Sequence, residues 1–271
     1  MYLLKNDQLE VQLLDPAADQ ERFGTRYCTG GYIFQVIDEQ HGALLSGPTY
    51  PESFNWFDGQ GIPDAFNLAP LRDPDGAGDL ALVLGIGVCD LKDDQVADLC
   101  EWQIDYTPTS ATFRTTHAYG GFVMAIERTI TLHSRTVRSA TRVRNEGTRL
   151  TPIRWFPHPF YPQPVGEELC RFNLSVSMPV NPGYTLAPSG FVARAGWPDQ
   201  KGFYQALETD DDAPLVVVQR HPILGLVAAV CSYTPTFFPI WGNQHTFSWE
   251  PFYERTLAPR QAAEWWIAYE F

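Results

Sequence analysis

Hydrophobic side chains recur at every second position along much of this chain. Leu9, Val11 and Leu13 share one face of an extended segment, as do Ile130 and Leu132, and Phe172, Leu174, Val176 and Met178 form a longer run. Trp265, Ile267, Tyr269 and Phe271 close the sequence at the same spacing. A period of two marks strands with one face on a core and the other toward solvent. Continuous apolar runs at 80–88, 215–218 and 224–230 predict strands covered on both faces. Helical periodicity is scarce, and one short helix is expected over 94–102. The 21 glycines and 22 prolines, about one residue in six, break the pattern at short intervals. Many short strands and few helices predict an all-β fold, two large antiparallel sheets packed as a sandwich. The 271 residues show no linker and no shift of composition, so one domain spanning 1–271 is expected, with surface loops at 198–202 and 208–214.

Composition narrows the partners. A hydrophobic content of 44% excludes a disordered chain, and 19 Lys+Arg against 32 Asp+Glu give a net charge of -13. That charge repels phosphate backbones and anionic bilayers, so neither nucleic acid nor a membrane is an expected partner. The longest apolar run, 80–89, contains two glycines and is too short to span a bilayer. Cys28, Cys89, Cys100, Cys170 and Cys231 are odd in number, widely spaced and never in a C-x-x-C arrangement. They read as reduced, mostly buried thiols in a cytoplasmic protein, and charged residues arrive too early at the N-terminus for a secretory segment. The sequence does not fix the oligomeric state.

Candidate chemistry centres on two copies of Pro-Phe-Tyr, in the segments WFPHPFY (155–161) and SWEPFY (248–253). Each follows one proton-transferring side chain, His158 or Glu250, with a proline that offers no N–H to a ladder and holds the preceding residue extended. Both side chains should therefore sit where a strand ends, walled by aromatic rings, which suits acid/base chemistry on a sugar. Alternation puts Glu250 on one face with Thr246 and Ser248, opposite Phe247 and Trp249, so its carboxyl can be desolvated and still hydrogen-bonded. The plainer alternatives are a rim glutamate paired with Arg255 and a histidine satisfied within an aromatic cluster. Among the other histidines, His133 faces solvent, His245 lies opposite Glu250, His41 and His221 read as loop residues, and His117 sits in a turn. No metal-ligand spacing, G-x-S-x-G or P-loop occurs, and Gly85-Ile-Gly87 is too bare for a dinucleotide site, so no metal and no cofactor are expected. Two segments, 55–66 and 241–245, are candidate ligand surfaces. Gln60, Asp64 and Asn243 could hydrogen-bond sugar hydroxyls while Trp241 and Tyr161 cover a pyranose face, although either segment also reads as a plain surface turn.

The ordered set of short motifs resembles the aldose 1-epimerase, or galactose mutarotase-like, superfamily. It comprises Gly30-Gly-Tyr-Ile, Leu44-Leu-Ser-Gly47, Gly59-Gln-Gly-Ile-Pro63, Asn145-Glu-Gly147 leading to His158-Pro-Phe, and Ser248-Trp-Glu-Pro251. The resemblance implies a β-supersandwich in which His158 is the general acid at the ring oxygen and Glu250 the base on the anomeric hydroxyl. Ring opening, bond rotation and closure would then interconvert the α and β anomers of a free, unphosphorylated sugar without a cofactor. Two departures stand out: the turn 59–63 lacks the additional histidine usual in mutarotases, and where relatives that recognise hexose 6-phosphates have an arginine within an R-G-G-I-P-like turn this chain reads Gly59-Gln-Gly-Ile-Pro63, with Gln60 before Gly61 and no arginine. A third acidic residue is placed at Asp199. The alternatives are a carbohydrate-binding protein on the same fold without catalysis and, with no motif to support it, a lyase-type enzyme.

Overall fold

A computed structural model describes residues 1–50, 52–76 and 78–271. Its strands form five antiparallel sheets, the largest with ten strands. That sheet holds the long neighbours Ser110–Tyr119, Phe122–His133, Thr136–Asn145 and Ala262–Glu270, then continues through Gly225–Cys231 and Val216–His221. Period-two patterning drives its formation: burial alternates without a break along Phe122–His133 and again along Leu9–Leu13. In the 172–178 run the alternation of burial persists past the end of the strand at Phe172, where the Asn173 N–H still donates to the Val216 carbonyl at 3.1 Å and Ser177 pairs with Glu208 in an isolated bridge.

A second sheet has four strands, in the order Tyr161–Pro162, Thr246–Trp249, Phe238–Gly242, Phe203–Leu207. One of its faces packs on the ten-stranded sheet. Trp249 stacks on Tyr269 at 6.2 Å, Phe172 meets Phe238 edge-on at 4.7 Å, and Phe247 contacts Tyr184 at 6.0 Å. Trp249, Trp265 and Tyr269 are fully buried, each worth roughly 2–3 kcal/mol of transfer free energy before the entropy of ordering is set against it. Its opposite face is left for a cavity.

The turn at 59–63 fixes how close the segments lie. Gly61 has φ +76°, and a Cβ there would stand 2.3 Å from the Phe34 carbonyl oxygen, so no other residue fits. This contact lets the Ile62 N–H reach the Ile33 carbonyl at 2.8 Å and leaves the Gly61 and Pro63 carbonyls facing the segment after Thr151–Pro157.

Five sequence-based expectations require correction. The segment 94–102 holds no helix: Gln95–Leu99 is a strand paired with Gly87–Asp90. A bulge opposite Val88 and Cys89 inserts one residue, so Val96 and Leu99, three apart, both pack on Val83, Ile86 and Cys89. The run at 80–88 is a hairpin rather than one strand, Leu80–Val83 turning into Gly87–Asp90. Gly225–Cys231 is buried on one face only, with Leu226 exposed. His221 ends a strand and is buried against the Leu44 carbonyl oxygen at 2.8 Å, while His117 lies within Ser110–Tyr119, not in a turn. All five cysteines are free and four are buried. No helix among the described residues is long and apolar enough to cross a membrane.

Candidate active site

The second face of the four-stranded sheet presents side chains in rows across its ladders. Tyr204 pairs with Trp241, and Trp241 pairs with Ser248. One step along, Ala206 pairs with Pro239, whose carbonyl accepts the Glu250 N–H at 2.9 Å. Because neighbouring rows lie two residues apart on each strand, Tyr204, Trp241, Pro239 and Glu250 all point to the same side. There they line a cavity of about 730 Å³.

His158 reaches the cavity from a different sheet. It follows the strand Thr151–Pro157, and the 59–63 turn catches its backbone: the His158 N–H donates to the Pro63 carbonyl and the Phe160 N–H to the Gly61 carbonyl, both at 2.8 Å. Proline on either side leaves this stretch no ladder of its own, so these two bonds set its position. The imidazole stacks on Phe160 at 4.2 Å and meets Trp241 edge-on at 5.9 Å. Nδ1 lies 2.9 Å from the Ser248 hydroxyl, and Nε2 lies 3.3 Å from Glu250 Oε1. The two strand ends marked by Pro-Phe-Tyr thus meet, although they are 92 residues apart in sequence.

Burial governs the charges of the pair. His158 is 3% exposed and Glu250 7%. Loss of solvent holds the imidazole well below its ordinary pKa, and the nearby Arg26 charge pushes in the same direction. Desolvation raises the Glu250 carboxyl to about 8, with Arg26 opposing the rise. At neutral pH a protonated carboxyl therefore faces a neutral imidazole, and the pair carries a single transferable proton between Nε2 and Oε1.

Of the residues expected to touch a ligand, Trp241 and Asn243 line the cavity. Asn243 is fully engaged by protein: its amide donates to the Pro48 and Gln200 carbonyls, and its oxygen accepts from the His245 and Thr246 N–H groups. It shapes the wall. Gln60, Asp64 and Tyr161 lie outside the cavity lining. Gln60 is buried under Tyr32, which donates to its carbonyl at 2.9 Å. Asp64 is the buried counter-ion of Arg128, and Tyr161 packs in the core against Trp249. Single-strand alternation could not reveal that these side chains face inward. Asp199 turns back on its own loop, accepting the Lys201 and Gly202 N–H groups. The cavity instead recruits Arg26, Phe57, Asp58, Asp94, Arg154, Lys201 and Tyr204. Of these, Phe57 and Asp58 fall within the flagged segment 55–66. Tyr204 had no sequence signal, since its role follows from pairing with Trp241. Asp94 had one: a Lys-Asp-Asp run at a hairpin tip, where Asp94 adopts φ 53° and accepts the Thr25 hydroxyl.

No family model matches the sequence, and no curated protein matches it. Solved structures do. A putative aldose 1-epimerase from Escherichia coli K12 superposes over 99% of this chain and 97% of its own, with TM-score 0.62 and 14% identity. A galactose mutarotase-like protein from Lactobacillus casei matches over 100% of this chain and 99% of its own, with TM-score 0.60 and 14% identity. The fold is that of the galactose mutarotase-like proteins. A galactose mutarotase related enzyme from Lactobacillus acidophilus shares it as well, over 99% of this chain and 96% of its own, with TM-score 0.57 and 13% identity. The β-supersandwich implied by the sequence motifs is therefore present. Within this galactose mutarotase-like fold, the His158–Glu250 pair occupies the face of the four-stranded sheet turned away from the core.

Proposed function

We propose that the protein is an aldose 1-epimerase-like enzyme that interconverts the α and β anomers of a free reducing sugar, with His158 and Glu250 as its acid/base pair. The observation that carries this reading is the contact of two buried proton-transferring groups, His158 Nε2 and Glu250 Oε1, 3.3 Å apart in the cavity lining. The hydroxyl and ring oxygens of an anomeric carbon are geminal, so groups this close can address both at once. In the tautomer with the shared proton on His158 Nε2 and Glu250 ionised, Glu250 takes the proton from the anomeric hydroxyl while His158 delivers its own to the ring oxygen, giving the open-chain aldehyde. The pair then stands as neutral carboxyl and neutral imidazole, the two forms that burial favours. Rotation about C1–C2 and the reverse transfers close the ring on the other anomer and restore both groups, so no cofactor is consumed. Trp241 and Tyr204 offer aromatic faces to the C–H side of the ring.

A second reading, a carbohydrate-binding protein without catalysis, draws support from the absence of a histidine in the turn 59–63. Anomeric exchange followed by NMR on a panel of aldoses separates the two. The enzyme reading expects rates above the buffer-catalysed background that vanish in Glu250→Gln; binding without exchange by any sugar would leave the second reading standing.

A further inference from the structure

We propose that Ser248 is a positioning residue for the acid/base pair: its hydroxyl oxygen accepts a hydrogen bond from His158 Nδ1–H throughout the cycle and so confines the mobile proton to Nε2 and Glu250. This rests on the acid/base reading above. Ser248 lies in the strand Thr246–Trp249, and Glu250 stands two positions further on. Residues i and i+2 of a strand share a face and lie about 6.8 Å apart. One imidazole bridges that span, with Nδ1 2.9 Å from Ser248 Oγ and Nε2 3.3 Å from Glu250 Oε1. A single strand thus addresses both ring nitrogens. The surrounding rings hold the imidazole against it: Phe160 stacks on it at 4.2 Å, and Tyr27 and Trp241 meet it edge-on at 6.4 and 5.9 Å.

The count of protons gives the Ser248 bond its direction. A neutral imidazole carries one N–H, and the partner of each nitrogen decides which of the two holds it. With Nδ1–H donating to Ser248 Oγ, Nε2 keeps its lone pair and accepts the Glu250 carboxyl proton. One hop of that proton from Oε1 to Nε2 gives the reactive form, an imidazolium beside an ionised carboxylate. Nε2 then gives its proton to the ring oxygen as Oε1 takes the one on the anomeric hydroxyl, and the first arrangement returns. With the roles at Nδ1 exchanged, Nε2 is already protonated and cannot receive the carboxyl proton. The reaction therefore needs Nδ1–H at every stage, with Ser248 Oγ as its acceptor. A hydroxyl suits this task better than the carboxylate that often backs a catalytic histidine, since it orients Nδ1–H without adding a charge that would hold the proton on the ring. Ser248 is fully buried, and His158 is the one hydrogen-bond partner of its hydroxyl among the described residues.

NMR of isotope-labelled histidine reads the tautomer directly in the sugar-free protein at neutral pH, with the His158 signals assigned by their loss in His158→Asn. The expected spectrum has a proton on Nδ1 and a pyridine-like Nε2. A proton on Nε2 with a pyridine-like Nδ1 overturns the proposal, as do protons on both nitrogens, because the resting ring must be neutral. Anomeric exchange of glucose and galactose tests the consequence. Ser248→Ala lowers kcat about tenfold with KM changed by less than about twofold, while Ser248→Thr, which keeps the hydroxyl, stays within about threefold of the wild type. Equal losses in the two variants, or a loss carried by KM, assign Ser248 to packing and overturn the positioning role. Should Ser248→Ala not fold, the wild-type spectrum and the threonine variant still decide. A wild type that exchanges no aldose removes the epimerase reading, and the spectrum then upholds or overturns the Ser248 bond by itself.

Discussion

Replacing Glu250 by glutamine should stabilise the protein, and by an amount that grows with pH. The wild-type carboxyl is 7% exposed, faces a neutral imidazole, and titrates near 8 in place of its ordinary 4.5. Between those two values the unfolded chain has released this proton and the native state still holds it. The folded pKa is raised, so the contribution to stability is fully present below 4.5 and is lost as pH rises through the folded value. The loss runs at about 1.4 kcal/mol per pH unit and reaches about 5 kcal/mol near pH 8, a large part of the 5–15 kcal/mol that holds a typical domain together. Glutamine fills the same space, can donate to His158 Nε2, and cannot ionise. Chemical denaturation of both proteins at several pH values from about 5 to 9 measures the effect, and subtracting the two curves cancels the titration of every distant group. The expected difference is near zero at pH 4.5 and rises to several kcal/mol in favour of Glu250→Gln. A difference that stays flat, or a variant less stable than wild type at alkaline pH, would show that Glu250 is ionised in the native state and ion-paired to a protonated His158. The assignment of a neutral carboxyl facing a neutral imidazole would then be wrong.

The same titration sets the activity profile. Anomeric exchange requires one proton on the pair, so kcat/KM should fall above about pH 8, and Arg26→Gln should move that alkaline limb to higher pH by removing the charge that holds Glu250 down. Ser248→Ala leaves His158 Nδ1 without its 2.9 Å partner and should lower kcat/KM about tenfold, an effect of roughly 1–2 kcal/mol on the imidazole's orientation, with KM little changed. Asp64→Asn strands the 2%-exposed Arg128 without a counter-charge and should cost about 3–5 kcal/mol in denaturant unfolding. Sugar affinity of the folded fraction should remain, since Asp64 does not line the cavity. Loss of affinity beyond the loss of folded protein would restore Asp64 to the binding surface.

What could be read from the sequence depended on whether a property is local. Period-two patterning belongs to each strand alone, so the all-β sandwich and the split of Ser248 and Glu250 from Phe247 and Trp249 were both accessible. The hairpin over 80–90 and the strand 95–99 were not, because a bulge changes the phase of burial only once the partner strand is present. The cavity wall was accessible only in part for the same reason. Trp241 came from its own segment, but Tyr204 reaches the cavity through its cross-strand pairing with Trp241, which no local pattern encodes. Asp64 and Gln60 look like polar turn residues until Arg128 and Tyr32 close over them. The glycine-rich turn illustrates the point most fully. Its side chains were expected to hold the sugar, whereas its backbone holds His158: positive φ at Gly59 and Gly61 brings the chain close enough for the Gly61 and Pro63 carbonyls to seat Phe160 and His158. A histidine added at Gln60 would enter the packed interior under Tyr32, not the cavity. Grafting one at Gln60 should accordingly cost stability and restore no rate; a gain in anomeric exchange would mean that the turn can open toward the substrate.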